Sequence, residues 1–172
     1  MPAMKVLETE RLILRWFTRD DGGFILDLLN QPSWLRFIGD AKVRTLDDAR
    51  AYIARRPVES YERLGFGLNL VELKTSGTLI GMCGLVKRDG LADVDLGFAF
   101  LPEFWGRGYG VESATAVLEH AKRVFGFDRI VAITSADNDS SVKLLERVGF
   151  AFEAMVRLPG NDEEVKLFAR VA

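Results

Sequence analysis

From Arg11 to Phe17 the segment "RLILRWF" alternates apolar and polar residues, the period-two pattern of a strand with one buried face. Thr18 to Asp21 then offer capping side chains for a helix through "GGFILDLLN". "TLDDARAYIARRPVESYERLG" has helical spacing on both sides of Pro57, which is expected to start a new helix or kink the one it interrupts. "GFGLNLVELK" and "TLIGMCGLVKR" predict two strands joined by a hairpin turn at "TSG". In "LADVDLGFAFL", Val94, Leu96, Phe98 and Phe100 fall on one face of a further strand. Asp93, Asp95, Gly97 and Ala99 fall on the other.

A long helix is predicted from about Gly108 to Val124, with Val111, Ala114, Val117, Leu118 and Ala121 as its apolar stripe. "RIVAIT" reads as a short buried strand. "NDSSVKLLERVGF" reads as a helix that Gly149 ends in the left-handed conformation. "AFEAMVRL" and "EVKLFARV" close the chain as two strands around the turn "PGNDE". Helices early, a meander in the middle and β-α-β-α-β-β late predict an α/β (α+β) fold. Its central sheet is mixed, mostly antiparallel, of about seven strands flanked by helices. There is no repeat and no linker, and 172 residues suit one domain over 1–172.

Composition narrows the function classes. A net charge of −2 is a poor match to nucleic-acid binding, which calls for a basic excess. One cysteine, Cys83, excludes an internal disulfide, and one histidine, His120, speaks against a His-rich metal site, so no metal is expected. The opening "MPAMKVLETERLILR" has no long apolar stretch, so no signal peptide is expected; no run of about 18 apolar residues occurs, so no membrane span is expected, and a cytoplasmic location is. A monomer or symmetric homodimer is the default expectation.

The most specific chemistry lies in "LPEFWGRGYGVESATAVLEHA". Gly106, Gly108 and Gly110 remove three side chains where a helix begins. The first turn of a helix has N–H groups without internal partners and carries the positive end of the dipole. Bare backbone there suits an anion, above all a phosphate. The other reading is a turn that needs glycine for geometry alone. The nucleotide loop ending in Gly-Lys-Ser/Thr is absent, which argues against an ATPase. The dinucleotide pattern fits poorly, because its third glycine falls on Ser113 or Val111 and "LPEFW" separates the glycines from the strand.

"PEFWGRGYG-E-A" and, downstream, "DNDSSVKLLERVGF" resemble the cofactor motifs of the GNAT superfamily of N-acetyltransferases. "LETERLILR" is similar to the first strand of its RimJ/RimL-type branch, the ribosomal-protein N-terminal acetyltransferases. The resemblance implies acetyl-CoA as co-substrate, its pyrophosphate on amides matching Arg107, Gly108, Tyr109, Gly110 and Val111. It implies a strand that splays from its neighbour, so that the pantetheine arm pairs with main chain at Phe98, Ala99 and Phe100. Asn138 would hydrogen-bond that arm. Trp105 stands where the wider superfamily often has Gln or Arg.

Acetyl transfer to an amine needs a neutral nucleophile, a polarised carbonyl and a proton for the leaving thiolate. A backbone N–H near Phe98 to Phe100 can polarise the carbonyl. The superfamily's usual Tyr acid is replaced by Leu145, and the resemblance makes Ser141 the candidate proton donor; its other reading is a helix-start residue. Asp95 and Asp93 are the candidate bases, with ordinary solvated acids as the alternative. Glu103 is expected to face solvent, and Glu112 to assist the first helical turn or contact substrate. His120 is expected on the surface and Cys83 in the core. The acceptor, a protein N-terminus or a small-molecule amine, is expected between the early helices and the sheet ends, near "NQPSWLRFIGDAKVRT". A non-catalytic acyl-CoA sensor is the competing reading.

Overall fold

The computed structural model describes residues 4–171. Residues 1–3 and 172, which the single-domain and N-terminal expectations include, lie outside the described residues. Eight strands form one sheet in the order β1-β2-β3-β4-β5-β6-β8-β7. They are β1 (Lys5–Glu8), β2 (Leu12–Trp16), β3 (Leu68–Leu73), β4 (Leu79–Val86), β5 (Asp95–Phe100), β6 (Arg129–Thr134), β7 (Ala151–Val156) and β8 (Val165–Val171). Every neighbouring pair is antiparallel except β5 and β6. The strand beyond the expected seven is β1. It is four residues long, and its pattern is too short to register apart from β2.

The helices are α1 (Gly22–Leu29), α2 (Pro32–Phe37), α3 (Leu46–Ile53), α4 (Glu59–Leu64), α5 (Tyr109–Phe125) and α6 (Asp139–Arg147). Thr45 begins α3 with a capping box: its hydroxyl accepts from the Asp48 N–H, and the Asp48 carboxylate accepts from the Thr45 N–H. Pro57 neither restarts nor breaks the helical path. A π-helical stretch, Ala54–Val58, absorbs it between α3 and α4. α2 did not show in the pattern, because six residues carry too little periodicity.

Two apolar clusters flank the sheet. On one face, Ala114, Val117, Leu118 and Ala121 of α5 and Leu145 of α6 pack on Leu12, Leu14, Cys83 and Leu96. On the other, Ile25, Leu28 and Leu29 of α1, Trp34 of α2 and Ile53 of α3 pack on Leu70, Met82 and Leu101. The anticipated α5 stripe is therefore the core-facing one, and both ends of α5 meet left-handed glycines, Gly108 and Gly126.

Candidate active site

The sheet comes apart in the middle. β4 pairs with β5 along the whole length of β5, from Val86–Asp95 to Gly81–Phe100. β5 and β6 share one parallel bridge, Asp95 with Val131, backed by the Val131 N–H to the Val94 carbonyl at 3.0 Å. Beyond it the strands separate toward the end of β5, leaving a wedge between them.

The ladder decides which groups face that wedge. Leu101 donates to Ile80 on β4 at 2.9 Å. By antiparallel alternation Ala99 and Gly97 also turn their main chain toward β4, and Phe98 and Phe100 turn theirs toward the wedge. Of the three residues expected to offer main chain, Ala99 is thus already engaged with Met82. The Phe100 carbonyl accepts from Trp105 Nε1 at 2.9 Å, so the half-exposed indole closes the far end of the free edge. The N–H and carbonyl of Phe98 and the N–H of Phe100 remain.

The glycine loop stands at the same end. Gly106 and Gly108 adopt φ of +74° and +84°, where a side chain is strained. Gly108 is the N-cap and provides no side-chain bond. The first intrahelical bond runs from the Glu112 N–H to the Gly108 carbonyl at 3.0 Å. The N–H groups of Tyr109, Gly110 and Val111 are left without helical acceptors, at the positive end of a 17-residue helix. Gly110 has a second reason to be glycine, since a Cβ there would run into Leu144 of α6 and lie 3.8 Å from Phe100 Cε2. That contact brings the first turn of α5, the end of β5 and α6 to one place.

Asn138 is the N-cap of α6, its Oδ1 accepting from the Ser141 N–H at 3.3 Å. Its amide nitrogen has no partner among the described residues. Ser141 lies three residues before Leu144, on the side of α6 that faces Gly110. Its hydroxyl makes no hydrogen bond among the described residues, so the cap role belongs to Asn138 and the Ser141 Oγ is free. Leu145 is fully buried in the core and can take no part in proton transfer.

Asp95 departs most from the solvated acid that its place on a strand suggested. It is 0% exposed. Oδ2 accepts from Arg88 Nε at 2.8 Å, and Oδ1 is buried without a partner among the described residues. Burial pushes its carboxyl up to about 6, against the pull of Arg88. Asp93 lies in the loop before β5 and pairs with Arg129 at 3.0 Å. Glu103 is exposed, as expected. Glu112 does not face the wedge: its carboxylate is held by Thr9 and Arg11 from the β1–β2 turn. Arg36 of α2, in the segment expected to lie near the acceptor, reaches Asp137 at 3.5 Å.

Cys83 is buried and its thiol is pushed up to about 12 by burial, which leaves it inert as a nucleophile. His120 is half-buried rather than a surface residue. It lines a cavity of about 30 Å³ with Trp16, Phe66 and Phe125, and its Nδ1 has no partner among the described residues. Burial, helped by Arg123, holds its imidazole below the ordinary value. The charged form is thus disfavoured in the folded state. Its contribution to stability is complete above the unfolded value of about 6.5 and is lost as pH falls toward the lower folded value. His120→Gln is expected to shrink the drop in Tm between about pH 7.5 and about pH 5.5. An undiminished drop would contradict a neutral, buried imidazole.

Residues 11–151 match the acetyltransferase (GNAT) domain family. The chain belongs to that family. This GNAT acetyltransferase is accordingly an acyltransferase enzyme. It is 28% identical over 154 residues to the uncharacterized N-acetyltransferase YoaA of Bacillus subtilis, covering 88% of this chain and 86% of YoaA. Its fold is similar to the crystal structure of an acetyltransferase from Agrobacterium tumefaciens, with a TM-score of 0.83 and 23% identity over 100% of this chain and 95% of that one. It is also similar to RimL, the ribosomal L7/L12 α-N-protein acetyltransferase, in complex with coenzyme A, with a TM-score of 0.79 and 20% identity over 99% and 98% of the two chains. RimL-type acetyltransferases are thus among the GNAT domain's structural neighbours. Among the described residues no group of three or more His, Cys, Asp or Glu side chains converges to hold a metal ion, and no helix is long and apolar enough to cross a membrane.

Proposed function

We propose that the protein moves an acetyl group directly from acetyl-CoA to a primary amine. The observation that carries this reading is the wedge between β5 and β6 opening beside the free amides of Tyr109, Gly110 and Val111. Those amides, with Arg107 and Gly108, suit a pyrophosphate. The free main chain of Phe98 and Phe100 suits an extended amide-bearing arm, which would pair as a strand does, and the Asn138 amide nitrogen can add a side-chain bond to it. Bound there, acetyl-CoA supplies an activated acyl carbon held in register with the acceptor, an arrangement that can lower a barrier by up to about 7–11 kcal/mol.

The chain's own groups then divide the chemistry. The Phe98 or Phe100 N–H can donate to the thioester oxygen as negative charge develops there. Asp95, ionised at neutral pH because its carboxyl titrates near 6, can accept the amine proton at its buried Oδ1 through a water that links it to the wedge. The free Ser141 hydroxyl can return a proton to the thiolate. A serine is a weak acid, so Ser141→Ala is expected to lower kcat by only about tenfold, with Tm unchanged. A wild-type kcat in that variant would remove Ser141 from the mechanism.

The acceptor reading follows the likeness to RimL and favours a protein α-amine over a small-molecule amine. Thiol release from acetyl-CoA, measured against a panel of N-terminal peptides, polyamines and amino acids, tests both activity and acceptor. Release that depends on one amine class is the expected result. CoA binding without release over the whole panel would favour the sensor reading, to which the replacement of the usual Tyr by Leu145 lends some support.

A further inference from the structure

The residue that aims the glycine loop lies about a hundred positions upstream of it. Arg11 precedes β2, and the sheet holds its backbone: its carbonyl accepts from the Lys74 N–H at 2.8 Å, and the turn before it closes with the Thr9 N–H to the Leu12 carbonyl at 2.9 Å. From this fixed base the guanidinium makes three contacts. Nε donates to Glu112 Oε1 at 2.7 Å. Nη1 donates to the Arg107 carbonyl at 3.0 Å. The guanidinium carbon lies 4.4 Å from the centroid of the Tyr109 ring. The other Glu112 oxygen is held by the Arg11 N–H at 3.0 Å and the Thr9 hydroxyl at 2.5 Å.

The consequence follows from peptide geometry. No peptide bond among the described residues is cis. In a trans unit the carbonyl of Arg107 and the N–H of Gly108 point in opposite directions. With the carbonyl pinned to Arg11, the Gly108 N–H is turned away from the β1–β2 turn. Gly108 at φ +84° and Gly106 at φ +74° give the loop freedom to turn that peptide over, and no other side chain among the described residues bonds it. Glu112 matters for the same reason. A carboxylate in the first turn of a helix would ordinarily compete for its free amides. Here Thr9 and Arg11 draw it aside and neutralise it, so the amides stay open and an incoming anion does not meet a bare negative charge.

We propose that Arg11, with Glu112, is a positioning residue that fixes the direction of the Arg107–Gly108 peptide, so that the loop presents its N–H groups to the diphosphate of the acyl donor. This rests on the reading of the loop as the pyrophosphate site. Lys could not replace Arg11 fully, because one ammonium on a flexible stem lacks the planar fork that holds carboxylate and carbonyl together.

The test pairs two donors, acetyl-CoA and S-acetylpantetheine, which lacks every phosphate, with calorimetric binding of CoA. Arg11→Gln is expected to raise the Kd for CoA and the KM for acetyl-CoA by about tenfold, the effect of losing a charge-assisted bond that holds the loop. Its kcat with acetyl-CoA and its kcat/KM with S-acetylpantetheine should stay within about twofold of wild type. Arg11→Lys should recover part of the affinity. Glu112→Gln should weaken CoA binding less than additively with Arg11→Gln, as expected for partners in one network. Unchanged CoA affinity in Arg11→Gln and Arg11→Lys, or an equal fall with both donors, would reduce Arg11 to a structural residue and overturn the proposal. If the wild-type protein neither bound CoA nor released thiol, the site reading itself would fall, and this arm separates that failure from the first.

Discussion

Gly108→Asp is expected to raise the Kd for CoA by at least about 100-fold, the size of effect that setting like charges together produces at a desolvated contact. The backbone there, at φ +84°, is one that Asp and Asn reach at a cost of about 1–2 kcal/mol. A Cβ would sit 3.2 Å from Arg11 Nη2, close but without a clash against main chain. The fold should therefore survive, with a Tm a few degrees lower at most. Gly108→Asn is the control, since it makes the same backbone demand without the charge and should bind CoA within about tenfold of wild type. Equal weakening by Asp and Asn would mean that the glycine serves turn geometry alone. Unchanged affinity in folded Gly108→Asp would mean that the phosphates dock elsewhere. Gly110 makes a poorer probe, because any side chain there meets Leu144 and mixes packing with binding.

Asp95→Asn should lower kcat by about 10²–10⁴-fold, the range that a positioned general base supplies. In wild type the acidic limb of the kcat/KM profile should fall with an apparent pKa of about 6, and in the variant that limb should vanish. The stability effect runs the other way. A carboxyl raised above its unfolded value binds its proton more tightly in the folded state, so stability declines as pH rises through the window from about 4 to about 6, and the penalty is complete above it. Asn can still accept from Arg88 without carrying a buried charge. The Tm of Asp95→Asn at neutral pH should equal or exceed that of wild type. Full activity in the variant, or a large fall in Tm, would assign Asp95 to the architecture and not to the chemistry.

Much of this architecture was legible in the residues. The long helix announced itself through Val111, Ala114, Val117, Leu118 and Ala121, and four of these five are now buried against the sheet. The segments read as strands became β2 through β8, "RLILRWF" by the alternation of a half-buried strand and "RIVAIT" by the unbroken apolar run of a buried one. The glycines marked their own place, since φ values of +74° and +84° belong to few other residues. What local pattern does not carry is pairing across the chain. The single bridge between β5 and β6 depends on where two strands diverge in space, and neither sequence encodes it alone. Asp95 reads as a solvated acid until Arg88 and the surrounding burial are seen. Arg11 and Glu112 are 101 residues apart, yet one signal was available. An acid in the first turn beside an anion-ready loop requires a cation nearby, and "LETERLILR" contains it.

The single rung between β5 and β6 has a mechanical consequence. The sheet behaves as two ribbons, β1 to β5 and β6 with β8 and β7, stitched together at one point. An extended ligand arm laid between them would act as the missing strand, adding rungs to both ribbons. Occupancy would then stiffen the seam itself: amides on both sides would exchange more slowly with solvent, and the unfolding temperature would climb with donor concentration.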